Sequence, residues 1–257
     1  MRELNVVISG FDHYDGVDVN PAIEVPKAIA EQGLGPASGP DDPLDQVEVT
    51  IHVVSIPVSF AKAWPTLKET IEATSLTLSS PLAQAFGLWC DAGSCATNLM
   101  DTAKPDADNV TPRREPIDPD GPAAYWTRLP LRSILNDFAD DSIPATLSSD
   151  AGTFVCNSLF YNLLNWTATQ ERVLGGFVSF PLVGPAHSSQ NGLPLEQQIA
   201  AGRDVVREAV RYYLKPPAPI SSLPEAHPAT LKPNTFRTHC NDVRRPQLQH
   251  AFIRYSA

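Results

Sequence analysis

Cysteine is scarce: Cys90, Cys95, Cys156 and Cys240 are the only four in 257 residues. They are too few and too scattered for a disulfide framework. The pair Cys90/Cys95 has no second pair at zinc-site spacing, so no metal site is expected. Free thiols in a reducing compartment follow. No apolar stretch approaches the roughly 18 residues that a membrane span needs. The run Val6-Val7-Ile8 is too short for a secretory leader and reads as a buried strand, so a cytoplasmic location is expected. An excess of positive charge is missing too: 19 Lys and Arg against 29 Asp and Glu leave a net charge of −10. Phosphates would repel such a surface, which excludes a general nucleic-acid binder and gives no affinity for anionic membranes. No cofactor is expected.

What is present fits one sizeable core, with 42% hydrophobic and 19% charged residues. Val6 to Gly10 reads as a strand, and Pro21 opens a helix capped by Asn20. Leu34 to Leu44, rich in Gly, Pro and Asp, reads as a flexible insert. Val47 to Ile56 alternates and is β-branched, as a strand should be. Phe60 to Ala73 has helical character, Leu82 to Trp89 suits a third strand, and Cys90 to Pro119 shows no clear period. Helical spacing resumes over Pro122 to Phe138. A short strand at Ala145 to Ser148, an apolar helix over Cys156 to Trp166 and a strand at Gly176 to Phe180 follow. Leu195 to Leu214 is the clearest amphipathic helix. Alternating strands and helices predict an α/β layered sheet. Residues 1–214 form one expected domain; seven prolines in residues 215–257 leave an extended tail without a long helix.

The run Ala151-Gly152-Thr153-Phe154-Val155-Cys156-Asn157 carries the chemistry. Glycine permits a tight turn, and cysteine stands where a helix begins. Unpaired N–H groups and the partial positive charge of a helix N-terminus favour a thiolate there and could hold an oxyanion. Local physics leaves a buried structural cysteine as the competing reading. The run resembles the nucleophile segment of pyroglutamyl peptidase I. So do Pro119-Asp120-Gly121-Pro122-Ala123-Ala124-Tyr125 with Leu129-Pro130 upstream of it, Gly10-Phe11 with Asn20-Pro21, Ile56-Pro57-Val58, and Leu193-Pro194-Leu195-Glu196, together spanning residues 4–214 in order. The resemblance implies a three-layer α/β/α sandwich with a mostly parallel central sheet. It also implies a Cys-His-Glu triad that removes N-terminal pyroglutamate, with Cys156 as nucleophile.

Two partners depart from that pattern. In Gly176-Phe177-Val178-Ser179-Phe180-Pro181, Ser179 stands at the family's histidine position. Counts from Gly87-Leu88 and from Asp106-Ala107-Asp108 both place Asn98 at the family's glutamate, and Asp108 replaces an arginine. His187 and His13, in strand-end loops, are the candidate substitute bases. Phe11, His13, Tyr14, Trp89, Phe154, Val155 and Phe180 are the expected lining of an apolar substrate pocket. The partner implied is a small molecule or short peptide; assembly stays open, since family members occur as monomers and as tetramers. Serine is no base at neutral pH, and a positioned acid–base group is worth about 10²–10⁴ in rate. The expected function is therefore a divergent enzyme on this scaffold, repurposed for acyl transfer, cyclisation or elimination through Cys156. The alternatives are an active peptidase-like hydrolase with a rearranged base, and a non-catalytic binding protein.

Overall fold

The computed structural model describes residues 2–12, 19–75, 83–89, 91–184 and 192–214. The chain divides into a unit over residues 1–217 and a second over 218–257, and the second lies outside the described residues.

Strand β1 (Arg2–Phe11) pairs in parallel with β2 (Val47–Ile56) on one side and β3 (Ala83–Trp89) on the other. The sheet continues through β8 (Gly175–Ser179), β4 (Asp91–Gly93) and β7 (Thr146–Ser148), in the order β2-β1-β3-β8-β4-β7. All these pairs are parallel except β4 with β8. A two-stranded antiparallel piece joins β5 (Cys95–Thr97) to β6 (Ala124–Trp126), and a short parallel pair joins β9 (Leu182–Val183) to β10 (Gly192–Leu193). Helices α1 (Pro21–Gln32), α3 (Leu131–Asp140) and α5 (Leu195–Leu214) share one core with Ile8, Val178 and Phe180. Helices α2 (Ala63–Ser75) and α4 (Val155–Ala168) cover the other face, over Val7, Phe11 and Phe177. Successive strand residues feed opposite layers, as a pleated sheet requires.

Helix α1 begins as the sequence suggests. The Asn20 side chain accepts the Ala22 N–H at 3.1 Å and donates to the Phe11 carbonyl at 2.8 Å, so one buried amide caps the helix and ties it to the end of β1. Pro26 has no N–H to return to the Ala22 carbonyl. That carbonyl lies against Gly10, where a Cβ would fall 1.8 Å from its oxygen.

Several expectations change. Residues 34–44 are not a free insert. Arg203, Arg207 and Arg211, one turn apart on α5, reach the carbonyls of Gly33, Leu34 and Pro36 and the side chains of Gln32, Ser38 and Asp42. Loop composition predicted mobility because the arginines that hold it lie some 170 positions away. The helix expected over Pro122 to Phe138 is strand β6 followed by α3; the segment before Pro130 pairs with β5 instead of extending the helix. Two strands, β4 and β5, lie within Cys90 to Pro119, too short to show a period. Helix α2 starts at Ala63, three residues after the predicted Phe60, because Ser59 and Phe60 are held by the 106–108 loop.

Candidate active site

Cys156 is the second residue of α4, and α4 runs antiparallel to β8. Thr167 and Leu163 cover Gly175, since a Cβ built there would meet them at 2.9 and 3.2 Å. One step further up, Phe160 stacks on Phe177 with centroids 5.2 Å apart and 22° between planes. Four helical residues rise about 6 Å and two strand residues about 6.6 Å. By the same spacing, Cys156 and Ser179 are the residues next in line on the two elements. The intervening residues confirm the face: Gly176 abuts Leu129, and Val178 joins the opposite core.

The turn before the helix is built from side-chain caps. The Asp150 carboxylate accepts the Gly152 N–H at 2.7 Å, and Gly152 takes φ +70°, a conformation that favours glycine. The Thr153 carbonyl accepts the Asp101 N–H at 3.1 Å, and the Thr153 hydroxyl donates back to the Asp101 carbonyl. Phe154 occupies the N-cap and has no side-chain oxygen to accept the first-turn N–H groups. The first-turn N–H groups are therefore left without a side-chain cap, and that of Cys156 lies at its own sulfur.

Asn157 fixes the height of the helix. It is fully buried, accepts the Thr97 N–H at 3.0 Å and donates to the carbonyls of Thr97 at 2.8 Å and Leu99 at 3.0 Å. Its amide acts as an extra strand partner for β5. Sequence reasoning missed this role, because Asn157 is one of several polar residues in α4 and its partners lie some 60 positions away.

The thiol itself departs from expectation. Cys156 is partly exposed as a residue, but its sulfur side packs between two buried clusters. Burial pushes the thiol up to about 12, and its own backbone N–H draws it down only in part. The helix N-terminus was expected to favour the thiolate. Desolvation is the larger influence on the sulfur, and among the described residues no cation acts on it.

The remaining candidates are distributed unevenly. Asn98 spends its side chain on the 118–121 turn: Nδ2 donates to the carbonyls of Asp118 at 2.7 Å and Gly121 at 3.3 Å, and Oδ1 accepts the Asp118 N–H at 2.9 Å. Phe11 ends β1 in register with Ile56, buried in the α2/α4 core. Trp89 pairs with Ser179 across the β3–β8 ladder. Phe154 lies beside Cys156 and meets Phe60 edge-on at 5.4 Å. Val155 and Phe180, expected in the pocket, are core residues instead. Val155 is fully buried under α2, and Phe180 points into the opposite layer towards Gly202 of α5, because strand alternation turns it away from Ser179. His13, Tyr14 and His187 lie outside the described residues. Among the described residues no cluster of His, Cys, Asp or Glu could hold a metal ion, and no helix is long and apolar enough to cross a membrane.

The arrangement is a thiol at a helix mouth, at the carboxyl ends of parallel strands. Comparison with known proteins places it. A family profile described as pyroglutamyl peptidase matches residues 4–212. The pyrrolidone-carboxylate peptidase of Bacillus subtilis is 36% identical over 180 residues, covering 69% of this chain and 78% of that protein. That of Bacillus cytotoxicus is 34% identical over 214 residues, covering 80% and 93%. The crystal structure of pyroglutamyl peptidase I from Bacillus amyloliquefaciens superposes with a TM-score of 0.67 at 29% identity, covering 82% of this chain and 98% of that one. Pyrrolidone carboxyl peptidase from Thermococcus litoralis gives 0.66 at 25% identity, covering 82% and 96%.

Proposed function

The chain belongs to the pyroglutamyl peptidase family, and from that premise we propose that it is a cysteine hydrolase acting on pyroglutamyl groups, with its proton acceptor moved away from position 179. What supports this reading is Cys156 at the start of α4, after a turn shaped by Gly152 and Thr153, in a chain of this family. Cys156 gives up its proton to a base and its sulfur adds to the pyroglutamyl carbonyl carbon. First-turn N–H groups of α4 hold the resulting oxyanion. Collapse breaks the bond to the leaving amine, which takes a proton, and leaves a thioester on Cys156. Water cleaves the thioester, releasing pyroglutamate and restoring the thiol.

Ser179 cannot take the first proton at neutral pH, so the base is assigned to a strand-end loop, with His187 or His13 in that role. Turnover of a chromogenic pyroglutamyl amide tests the reading. Turnover lost in Cys156→Ala supports it; no turnover, or turnover indifferent to that substitution, refutes it.

The raised thiol favours a second reading, repurposed acyl transfer. Esters and thioesters need less protonation of the leaving group than amides do, so a site without an imidazole opposite the sulfur is less handicapped on them. Cys156-dependent turnover of an activated pyroglutamyl ester without any of the amide would favour this reading.

A further inference from the structure

The segment from Thr97 to Asp108 touches the candidate site at both ends. At its start, Thr97 and Leu99 receive Asn157, and Asp101 exchanges two hydrogen bonds with Thr153. At its far end, Asp106 is a buried carboxylate, 6% exposed, and its two oxygens accept three backbone N–H groups. Oδ1 takes those of Asp108 at 2.9 Å and Val110 at 2.8 Å, and Oδ2 takes that of Phe60 at 2.9 Å. The contact is reinforced on both sides. Ala107 N–H donates to the Val58 carbonyl at 2.8 Å, and the fully buried Ser59 donates its hydroxyl to Asp108 at 2.6 Å.

These bonds fix one side chain with a functional address. Phe60 stands edge-on to Phe154 at 87°, and both pack with Cys156 against the same buried cluster. A perpendicular ring pair is worth about 0.5–1.5 kcal/mol beyond its area, too little to hold a surface turn by itself. The charged hydrogen bonds of Asp106 are each stronger than neutral ones. The carboxylate, and not the ring contact, therefore sets where Phe60 stands.

We infer that Asp106 is a positioning residue that, through Phe60 and Phe154, limits the size of the acyl group reaching Cys156. This rests on Cys156 being the acyl acceptor proposed above. A small acyl group passes the ring pair; a bulky one meets the edge of Phe60. Without the Asp106 carboxylate, the Phe60 N–H loses its partner, the 58–62 turn relaxes, and the wall opens.

The test compares rates of Cys156 modification by iodoacetamide and by N-(1-pyrenyl)maleimide, mapped by peptide mass spectrometry, in wild type, Asp106→Asn and Phe60→Ala. The Phe60 variant leaves the Asp106 network intact and so guards against loss of folding in the other. The expected result is a rise of roughly fivefold or more in the maleimide-to-iodoacetamide rate ratio in both variants, the order of magnitude that one lost ring contact corresponds to. A ratio unchanged in Phe60→Ala, or one that rises there but not in a folded Asp106→Asn, overturns the inference. A pyroglutamyl chloromethyl ketone on the wild type reads the functional proposal separately: failure to label Cys156 counts against that proposal and leaves the size ratio as an independent result.

Discussion

Cys156 meets two opposing influences, and their balance decides what the thiol does. The helix N-terminus favours the thiolate, but burial dominates and raises the thiol to about 12. At about pH 8.5, where a free cysteine is half ionised, roughly one such thiol in several thousand is a thiolate. Iodoacetamide labelling of Cys156 is accordingly expected to be slow at neutral pH and to keep rising beyond about pH 10. A plateau below about pH 8 would show a resting thiolate held by an ion pair, rather than a neutral thiol that gives up its proton to a base only during attack. The ladder from Gly175 to Ser179 makes a second expectation. Placing an imidazole at position 179 with Ser179→His should raise kcat/KM on a pyroglutamyl amide by about tenfold or more, within the range that a positioned base supplies. It should also shift Cys156 labelling to lower pH. A folded variant with neither change would mean that residue 179 does not face the thiol.

Helix α4 is held in place by polar side chains at both ends, and these give stability predictions of their own. Asn157→Ala removes the partner of the part-buried Thr97 N–H and of two carbonyls, at the end of β5 and just beyond it, and leaves the fully buried Asn157 site empty. A lost buried partner costs about 1–3 kcal/mol, so denaturant titration should show a loss at least that large, with activity falling alongside. On the opposite layer, Arg211→Ala strips the buried Asp42 of its closest cation, at 2.8 Å. The Arg211 guanidinium holds the Asp42 carboxyl well below the usual carboxylate range. Faster amide exchange confined to residues 33–46 is the expected readout; exchange unchanged there would show that the arginine row is ornamental. The long elements were legible in the sequence because their periods are long enough to read: β2 and α5 match the predicted Val47 to Ile56 and Leu195 to Leu214. Strands β4 to β6 were not, since three residues carry no period. The pinning of residues 33–42 was hidden because its cause lies in a distant helix.

The molecule as a whole carries half-buried carboxylates that make its stability depend on pH. Burial pushes Asp204 up to about 7, with Asp141 and Asp137 adding repulsion, and pushes Asp137 up to about 6, with Glu208 adding to it. Groups raised in the folded state contribute stability below their unfolded value, near 4, and lose it as pH climbs through 6 to 7. Asp204→Asn should therefore raise Tm at about pH 8 and change it little at about pH 4; equal shifts at both would refute the assignment. The family and its strand–helix order could be read from motifs scattered over residues 4–214, because each motif marks a turn with a fixed backbone demand, such as Gly152 at positive φ. The site was legible only in part: the position of Cys156 follows from its turn, whereas burial of its sulfur, the diversion of Asn98 to the 118–121 turn and the inward packing of Phe180 depend on tertiary contacts. The central claim is that Cys156 receives the pyroglutamyl group. The direct measurement is acid quenching of the protein during turnover of an activated pyroglutamyl ester, followed by peptide mass spectrometry. The account predicts one pyroglutamyl group on the Cys156 peptide, absent in Cys156→Ala; turnover with no adduct there, or with the adduct on Cys95, would contradict it.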